Sequence, residues 1–248
     1  MTTTPRTAPR VALVTGGSGG IGKAVVGRLV TDGFAVAVHY AGNQAKADAI
    51  VEEITTSGGQ AVAVGGDVAD ERAMEAAFDA VETAFGGIDV VVNTAGIMVL
   101  APIAELDLDD LDRMHRTNIR GTFVVAQQAA RRVRRGGAII NVSTSVTRTQ
   151  LPTYGAYVAS KAAVQSISLI LARELRGKDI TVNTVAPGPV ATPLFIEGKD
   201  EATVANFVRA TPLERLGEPR DVAETVAFLA GPARWVNGQT LYTNGGLV

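Results

Sequence analysis

The chain contains no cysteine and only two histidines among its 248 residues. The absence of cysteine excludes disulfide bonds, thiol nucleophiles and zinc sites built on thiolates. His39 and His115 alone leave little for a histidine-dependent metal site, so we expect no bound metal. A chain of this length buries roughly three-quarters of its unfolded surface, and it therefore needs no metal or disulfide to stabilise its core.

The sequence also lacks an excess of either charge. The formal net charge is −2 and the isoelectric point is near 5.8. Such a balance provides no basic surface for nucleic acid, so we expect no nucleic-acid partner. The one dense basic run, residues 131–135, precedes two glycines, an order that predicts the last turn of a helix followed by a glycine cap.

A long hydrophobic run is missing from the start of the chain. Residues 1–9 are polar and contain proline, and they lead into an apolar run of only four residues, whereas a membrane span needs roughly 18. We expect a frayed tail over residues 1–9, no signal peptide and no membrane association, and hence a cytoplasmic protein.

Short apolar runs of strand length recur along the chain. They are residues 11–15, 35–40, 61–64, 88–93, 138–143 and 180–186. The runs are rich in valine and isoleucine and mostly continuous, which favours strands covered on both faces, as in a parallel sheet. Alanine and charged residues recur at helical spacing between them, for example over residues 70–85. This alternation predicts an α/β fold with a doubly wound parallel sheet, in one domain over residues 1–248.

The first predicted strand ends in a glycine-rich turn, TGGSGGIG at residues 15–22. It can be aligned as G-x-G-x-x-G on Gly17, Gly19 and Gly22 or as T-G-x-x-x-G-x-G on Gly16, Gly20 and Gly22. Glycines let the backbone approach a phosphate closely, and the start of the following helix favours negative charge. Because the run joins a strand to a helix, we predict a dinucleotide site; a turn without a ligand is the alternative.

The second predicted strand ends at Tyr40, and no acidic residue follows before Asn43. An acid there would bind the free 2′-hydroxyl of NAD(H). It would also repel a 2′-phosphate, so its absence favours NADP(H) over NAD(H). No arginine lies at this strand end either, so a phosphate would depend on Asn43, backbone N–H groups or Lys46.

With this glycine turn and the YVASK of residues 157–161, the sequence resembles the short-chain dehydrogenase/reductase family, including its 3-oxoacyl-[acyl-carrier-protein] reductases and bacterial ketoreductases. The resemblance covers nearly the whole chain. It continues through Asp67-Val68, NTAG at 93–96, Asn118, PGPVAT at 187–192 and NGQTLYTNGG at 237–246. It implies a Rossmann fold of about seven parallel strands with helices on both faces, and a homodimer or homotetramer.

The resemblance also implies a cofactor site. Its residues would be Gly16, Ser18, Gly20, Ile21, Gly22, Tyr40, Asn43, Asp67, Val68, Asn93, Ala95, Gly96, Tyr157, Lys161, Pro187, Gly188, Val190 and Thr192. By similarity, Asp67 and Val68 would hold the adenine, and Val190 and Thr192 would lie at the nicotinamide carboxamide. The sequence departs from the family pattern at Thr94, where asparagine is usual.

Tyr157 and Lys161 lie four residues apart in a segment with helical composition. Residues at this spacing share a helix face, so the ammonium can lie close to the phenol. A nearby cation would lower the phenol pKa from its ordinary value near 10. We predict that Tyr157 gives its proton to a carbonyl oxygen during hydride transfer, although the pair could be an ordinary amphipathic one. Tyr154 lacks such a partner and is predicted to be a pocket wall.

A second hydroxyl should polarise the carbonyl. The family usually has a serine thirteen positions before the tyrosine, which corresponds to Thr144; if the following loop is one residue shorter than usual, Ser145 takes its place. Both are candidates. The resemblance further implies that Asn118 perturbs its helix and supports a water that relays protons through Lys161, whereas a surface asparagine is the alternative.

Residues 193–212 form the longest connection after a strand, which predicts a substrate loop or lid. An apolar pocket is expected from Met98, Leu151, Leu194, Phe195, Ile196 and Phe207. Such a pocket favours an apolar ketone, an aldehyde or an acyl thioester over a sugar acid, although Arg148 could reach a carboxylate.

Three functions fit this sequence. The first is an NADPH-dependent carbonyl reductase or ketoreductase acting on a small molecule. The second is an NAD-dependent alcohol or polyol dehydrogenase. The third is a non-catalytic NADP(H)-sensing protein, against which the presence of Asn118, Tyr157 and Lys161 counts.

Overall fold

The structure is a computed structural model that describes residues 8–248, and its centre is one sheet of seven parallel strands. The strands are β1 (Val11–Thr15), β2 (Ala35–Tyr40), β3 (Ala61–Gly65), β4 (Ile88–Asn93), β5 (Val133–Val142), β6 (Thr181–Pro187) and β7 (Thr240–Thr243). All six apolar runs form strands, which confirms the predicted fold class. Residues 1–7 of the predicted tail lie outside the described residues.

Helices cover both faces of the sheet. They are α1 (Gly20–Thr31), α2 (Gln44–Thr56), α3 (Glu71–Phe85), α4 (Leu108–His115), α5 (Gly121–Arg132), α6 (Val146–Thr149), α7 (Gly155–Glu174), α8 (Pro193–Ile196), α9 (Glu201–Ala210) and α10 (Pro219–Ala230). One core joins the sheet to α3, α5 and α7, and the other joins it to α1, α2 and α10. This two-sided burial explains why the strands are apolar without alternation.

The strand order is β3-β2-β1-β4-β5-β6-β7, so the chain reverses its direction of travel across the sheet between β1 and β4. Ligands of such sheets bind beyond the carboxyl ends of the strands at this reversal. There Thr15 Oγ1 donates to Asn93 Oδ1 at 2.6 Å, and Asn93 Nδ2 donates to Asn141 Oδ1 at 3.3 Å. These buried side chains fix three adjacent strand ends relative to one another.

The predicted glycine cap after the basic run is wrong. Arg131 and Arg132 do end α5, but β5 begins at once with Val133, and Gly136 lies inside that strand. Arg134 Nε donates to Asp89 Oδ1 at 3.0 Å, and Asp89 is 1% exposed. A carboxylate buried to this extent needs a paired cation, and Arg134 supplies it from the first residues of β5, beside β4.

α7 is the one helix in the described part of the chain that is long and apolar enough to cross a membrane by length and composition. Nearly half of its most apolar window, 44%, is buried inside the fold. Leu171 and Ala172 of this helix belong to the core against the sheet. Its apolar composition is therefore that of a helix covering a sheet.

Candidate active site

The glycine turn after β1 allows close approach of backbone to backbone. Gly16 has a φ of +62°, in the left-handed region that favours glycine. A Cβ on Gly22 would lie 2.1 Å from the Gly16 carbonyl oxygen, and one on Gly20 would lie 2.8 Å from Thr192 Cγ2. The first turn of α1 has neither an acidic residue nor a side-chain cap. Its N–H groups can therefore bind a phosphate, which fits the predicted dinucleotide.

The end of β2 presents no carboxylate to a bound nucleotide. Tyr40 turns its ring onto β3, where a Cβ on Gly65 would lie 2.8 Å from the ring atom Cζ. Asn43 caps α2, since its Oδ1 accepts the Lys46 N–H at 3.0 Å. The first turn of α2 also lacks an acidic residue. A 2′-phosphate beside this strand end would thus meet a helix N-terminus and no negative side chain.

The loop after β3 carries Asp67 and Val68. Asp67 Oδ1 accepts the Ala69 N–H at 2.9 Å, and its other carboxyl oxygen pairs with Arg116. Partial burial acts to raise the pKa of Asp67, but the Ala69 amide and the Arg116 guanidinium together bring the pKa below its ordinary value. Asp67 is therefore an ionised acceptor at neutral pH.

The segment after β4 is held tightly beside the glycine turn. Thr94 Oγ1 donates to the Thr15 carbonyl oxygen at 2.6 Å, and the Ala95 N–H donates to Thr15 Oγ1 at 3.3 Å. A Cβ on Gly96 would lie 3.1 Å from Lys161 Nζ and 3.2 Å from Asn118 Oδ1. The backbone at position 96 therefore passes directly over two predicted site residues.

Asn118 lies in a π-helical turn, Arg116–Arg120, between α4 and α5, so the helix is perturbed at this residue. Its Oδ1 accepts the Ile97 N–H at 2.9 Å, and its Nδ2 donates to the Ile97 carbonyl oxygen at 2.9 Å and to Ser160 Oγ at 3.0 Å. It is 1% exposed, so the alternative of a surface asparagine is wrong. Asn118 joins the segment after β4 to α7.

Tyr157 and Lys161 are both buried on α7. Burial raises the pKa of Tyr157 above its ordinary value, and the neighbouring Tyr154 adds to this effect, whereas a hydrogen bond with Thr144 opposes it. Burial also lowers the pKa of Lys161 to about 8. The expected lowering of the phenol pKa by Lys161 is wrong for this structure, because burial is the largest effect on this pKa and raises it. Lys161 Nζ donates to the Val142 carbonyl oxygen at 2.9 Å. The phenol is protonated at neutral pH.

The two candidate hydroxyls have different partners. The Thr144 hydroxyl faces the Tyr157 phenol, and it also accepts the Val146 N–H at 3.3 Å. Ser145 Oγ donates to the Ala186 carbonyl oxygen on β6 at 3.1 Å. Because the proton of Ser145 is used by the sheet, the geometry favours Thr144 as the hydroxyl beside the phenol.

A cavity of about 300 Å³ opens beside these side chains. Apolar residues dominate its substrate end, and Met98, Leu151, Leu194, Phe195 and Phe207 line it as expected. Ile196 is not among the residues that line the cavity, so this prediction is wrong. Lys161 is the one charged residue among the described residues that line the cavity.

The segment after β6 closes one side of this cavity with two helices. Phe195 of α8 and Phe207 of α9 stack edge to face, with ring centroids 5.2 Å apart. Arg148 does not line the cavity; its Nε donates to the Tyr242 hydroxyl at 3.0 Å. A carboxylate in the cavity would therefore not meet this guanidinium.

Sequence comparison identifies relatives of this protein over nearly its whole length. The sequence model of a family described as enoyl-(acyl carrier protein) reductase matches residues 16–248. A short-chain type dehydrogenase/reductase of Picea abies is 44% identical over 96% of this chain and 92% of its own. This protein belongs to the short-chain dehydrogenase/reductase family. It is accordingly an NAD(P)(H)-dependent oxidoreductase.

Two further relatives of this short-chain dehydrogenase/reductase carry more specific names. An Arabidopsis thaliana NADPH-dependent aldehyde reductase-like protein is 40% identical, over 97% of this chain and 95% of its own. A 3-oxoacyl-[acyl-carrier-protein] reductase of Staphylococcus aureus is also 40% identical, over 95% of this chain and 97% of its own. Among solved structures, a short chain dehydrogenase from Burkholderia cenocepacia in complex with NADP aligns with a TM-score of 0.91 at 38% identity, over 98% of this chain and 99% of the other.

Sequence reasoning missed some residues of the short-chain dehydrogenase/reductase site. Leu247 lines the cavity although it lies almost a hundred residues from Tyr157 in the chain. Residues 193–212 were expected to be a loop, yet two signals for helices are present. Pro193 begins α8, and Asp200 Oδ1 caps α9 by accepting the Thr203 N–H at 2.7 Å. Proline at the first turn and aspartate at the N-cap are both recognisable from sequence.

Proposed function

We propose that the protein is an NADPH-dependent reductase of neutral, apolar aldehydes and ketones, with Tyr157 as the general acid. The observation that carries this proposal is the meeting of two hydroxyls, of Tyr157 and Thr144, at the inner end of a cavity with a mainly apolar lining. A carbonyl oxygen can accept a hydrogen bond from each hydroxyl. The rest of such a substrate gains from burial against the apolar walls.

The choice of NADP(H) is supported by the surroundings of the adenosine half. The N–H groups at the start of α1 would hold the pyrophosphate, and the end of β2 has no carboxylate to repel a 2′-phosphate. Asp67 and Val68 would hold the adenine, while Val190 and Thr192 would lie at the nicotinamide. The Arabidopsis relative is named as NADPH-dependent, and the Burkholderia structure contains NADP. The dinucleotide, when bound, supplies the hydride.

The protonated state of the Tyr157 phenol is the one that reduction of a carbonyl requires. Burial raises the pKa of this phenol, so it carries a proton at neutral pH and can donate it to the oxygen as negative charge develops there. Thr144 supplies a second hydrogen bond to the same oxygen. With a pKa lowered to about 8, Lys161 can release a proton near neutrality, and we infer that it reprotonates Tyr157 through water held near Asn118.

The lining of the cavity separates this proposal from its alternatives. A polyol or a sugar acid would place hydroxyl or carboxylate groups against Met98, Leu151 and Phe195, which cannot hydrogen-bond to them. A 3-oxoacyl thioester presents an apolar chain to the same walls. It therefore belongs in the substrate panel beside simple aldehydes and ketones.

The experiment measures the oxidation of NADPH and of NADH in the presence of aldehydes, ketones and 3-oxoacyl thioesters. A second assay, in the reverse direction, measures the reduction of NADP⁺ and NAD⁺ by polyols. Tyr157→Phe should lose at least roughly a hundredfold in kcat, because the proton donor is removed. Tyr154→Phe is the matched control, since it removes a hydroxyl from the same cavity and should change kcat by less than about fivefold. Equal turnover by wild type and Tyr157→Phe would overturn the mechanism. NADPH binding without turnover on any substrate would favour a sensor.

A further inference from the structure

Gln165 extends the row of site residues on α7. It follows Lys161 by four residues and Tyr157 by eight, so the three side chains share one face of the helix. Its Nε2 donates to Ser143 Oγ at 3.0 Å and to Thr147 Oγ1 at 3.0 Å. A primary amide has two N–H donors, so both donors of Gln165 are engaged.

Each of these hydroxyls passes a hydrogen bond on to the backbone. Ser143 Oγ donates to the Lys161 carbonyl oxygen at 2.9 Å, and Thr147 Oγ1 donates to the Thr144 carbonyl oxygen at 2.8 Å. Because a hydroxyl has a single proton, each hydroxyl accepts from the Gln165 amide and donates to the backbone carbonyl oxygen. One amide group is therefore connected, through two hydroxyls, to the backbone of Lys161 and of Thr144.

The segment that carries Thr144 is held both by β6 and by these contacts. The N–H groups of Ser143 and Ser145 bond to β6, at Val185 and Pro187, each at 2.8 Å. Beyond Ser145 the chain leaves the sheet and turns into the four-residue helix α6. Gln165 bonds to one residue before Thr144 and to another after it, so it spans the bend from its own, rigid helix.

We propose that Gln165 is a positioning residue that holds the Thr144 hydroxyl at the Tyr157 phenol. The inference rests on the proposed function, in which these two hydroxyls bind one carbonyl oxygen. Gln165 acts through Ser143 and Thr147 and touches no reacting atom. Small displacements of a group in an active site can cost up to about a hundredfold in rate. Loss of the amide donors should accordingly affect kcat far more than binding.

The decisive variant keeps the approximate shape of the Gln165 side chain and removes its N–H donors. Gln165→Met should lower kcat about tenfold. KM and the Kd for NADPH should change by less than about twofold, and the melting temperature by no more than a few degrees. Gln165→Glu should fail to restore kcat, because an ionised carboxylate only accepts hydrogen bonds and would compete for both hydroxyl protons. Gln60→Met, on an exposed residue far from α7, is the matched control and should leave kcat unchanged.

Thr147 provides an independent test should Gln165→Met not fold. Thr147→Val should lower kcat, whereas Thr147→Ser, which keeps the hydroxyl, should not. The double variant Gln165→Met/Thr147→Val should lose less than the product of the two single losses, because the two residues act in one chain of hydrogen bonds. Wild-type kcat in Gln165→Met, or strictly multiplicative losses, would overturn the proposal. The hundredfold loss in Tyr157→Phe would then still stand, so the two failures are distinguishable.

Discussion

The Nδ1 atom of His39 accepts a hydrogen bond from the backbone N–H of Gly16 at 3.3 Å. The next N–H of the turn, that of Gly17, donates to the His39 carbonyl oxygen at 2.9 Å. One residue at the end of β2 thus holds the first two amides of the glycine turn after β1. Because Nδ1 accepts, it carries no proton, and the imidazole must be neutral for this arrangement to exist.

The first prediction concerns acid stability. Burial lowers the pKa of His39 from 6.5 to about 4, against smaller opposing effects of Gly66 and Asp67. The unfolded chain therefore binds this proton first, and stability that is fully present above pH 6.5 is lost as the pH falls towards about 4. The loss is on the order of 3 kcal/mol. Urea unfolding at pH 7, 5.5 and 4.5 measures it.

His39→Asn is the control for this prediction. Its Oδ1 can replace Nδ1 as the acceptor for the Gly16 N–H, but it does not titrate. We expect this variant to keep NADPH binding and to lose less stability between pH 7 and 4.5 than the wild type does. An unchanged pH dependence would show that His39 is not the group responsible.

The second prediction compares two glycines of α1. Gly22→Ala should abolish NADPH binding and lower the melting temperature, because its Cβ would lie 2.1 Å from the Gly16 carbonyl oxygen. Gly27→Ala in the same helix has nothing within 4 Å of its Cβ, so it should stabilise the protein by about 0.5–1 kcal/mol. Thermal unfolding and fluorescence titration with NADPH test both. Equal effects of the two changes would contradict the close approach in the turn.

The third prediction concerns the choice of dinucleotide. Tyr40→Asp places a carboxylate at the end of β2, where it would repel a 2′-phosphate and bind a free 2′-hydroxyl. We expect the ratio of the Kd values for NADPH and NADH to rise at least about tenfold, since like charges in contact are costly. In Tyr40→Asn the new side chain has the shape of aspartate without its charge, so this variant should change the ratio much less. Parallel titrations with both dinucleotides decide the matter.

The fourth prediction separates Thr144 from Ser145. Thr144→Val should lower kcat by about a hundredfold, as expected when a hydrogen bond to the developing oxyanion is removed. Thr144→Ser keeps a hydroxyl and should retain most of the activity. Ser145→Ala removes only a bond to the Ala186 carbonyl oxygen, and its kcat should fall less than tenfold. A larger loss in Ser145→Ala than in Thr144→Val would reverse the assignment.

Local patterns explain why much of this fold was predictable. The continuous apolar runs define strands because each strand is covered on both faces, and the bounds of β1, β2 and β4 agree with the predicted ones residue for residue. The extension of β5 back to Val133 was not predictable in this way. There Val133 pairs with Ile88 of β4 across an irregularity in the register, and Arg134 contacts Asp89, 45 positions away in the chain.

Local sequence patterns were enough to predict the first six strands, the glycine turn and the spacing of Tyr157 and Lys161, because each of these depends on neighbours in the chain. Only the tertiary structure gave Ser145 Oγ the Ala186 carbonyl oxygen as its acceptor and Lys161 Nζ the Val142 carbonyl oxygen. The direction of a side chain at a site is set by hydrogen bonds and packing between distant segments, and no local pattern encodes those contacts.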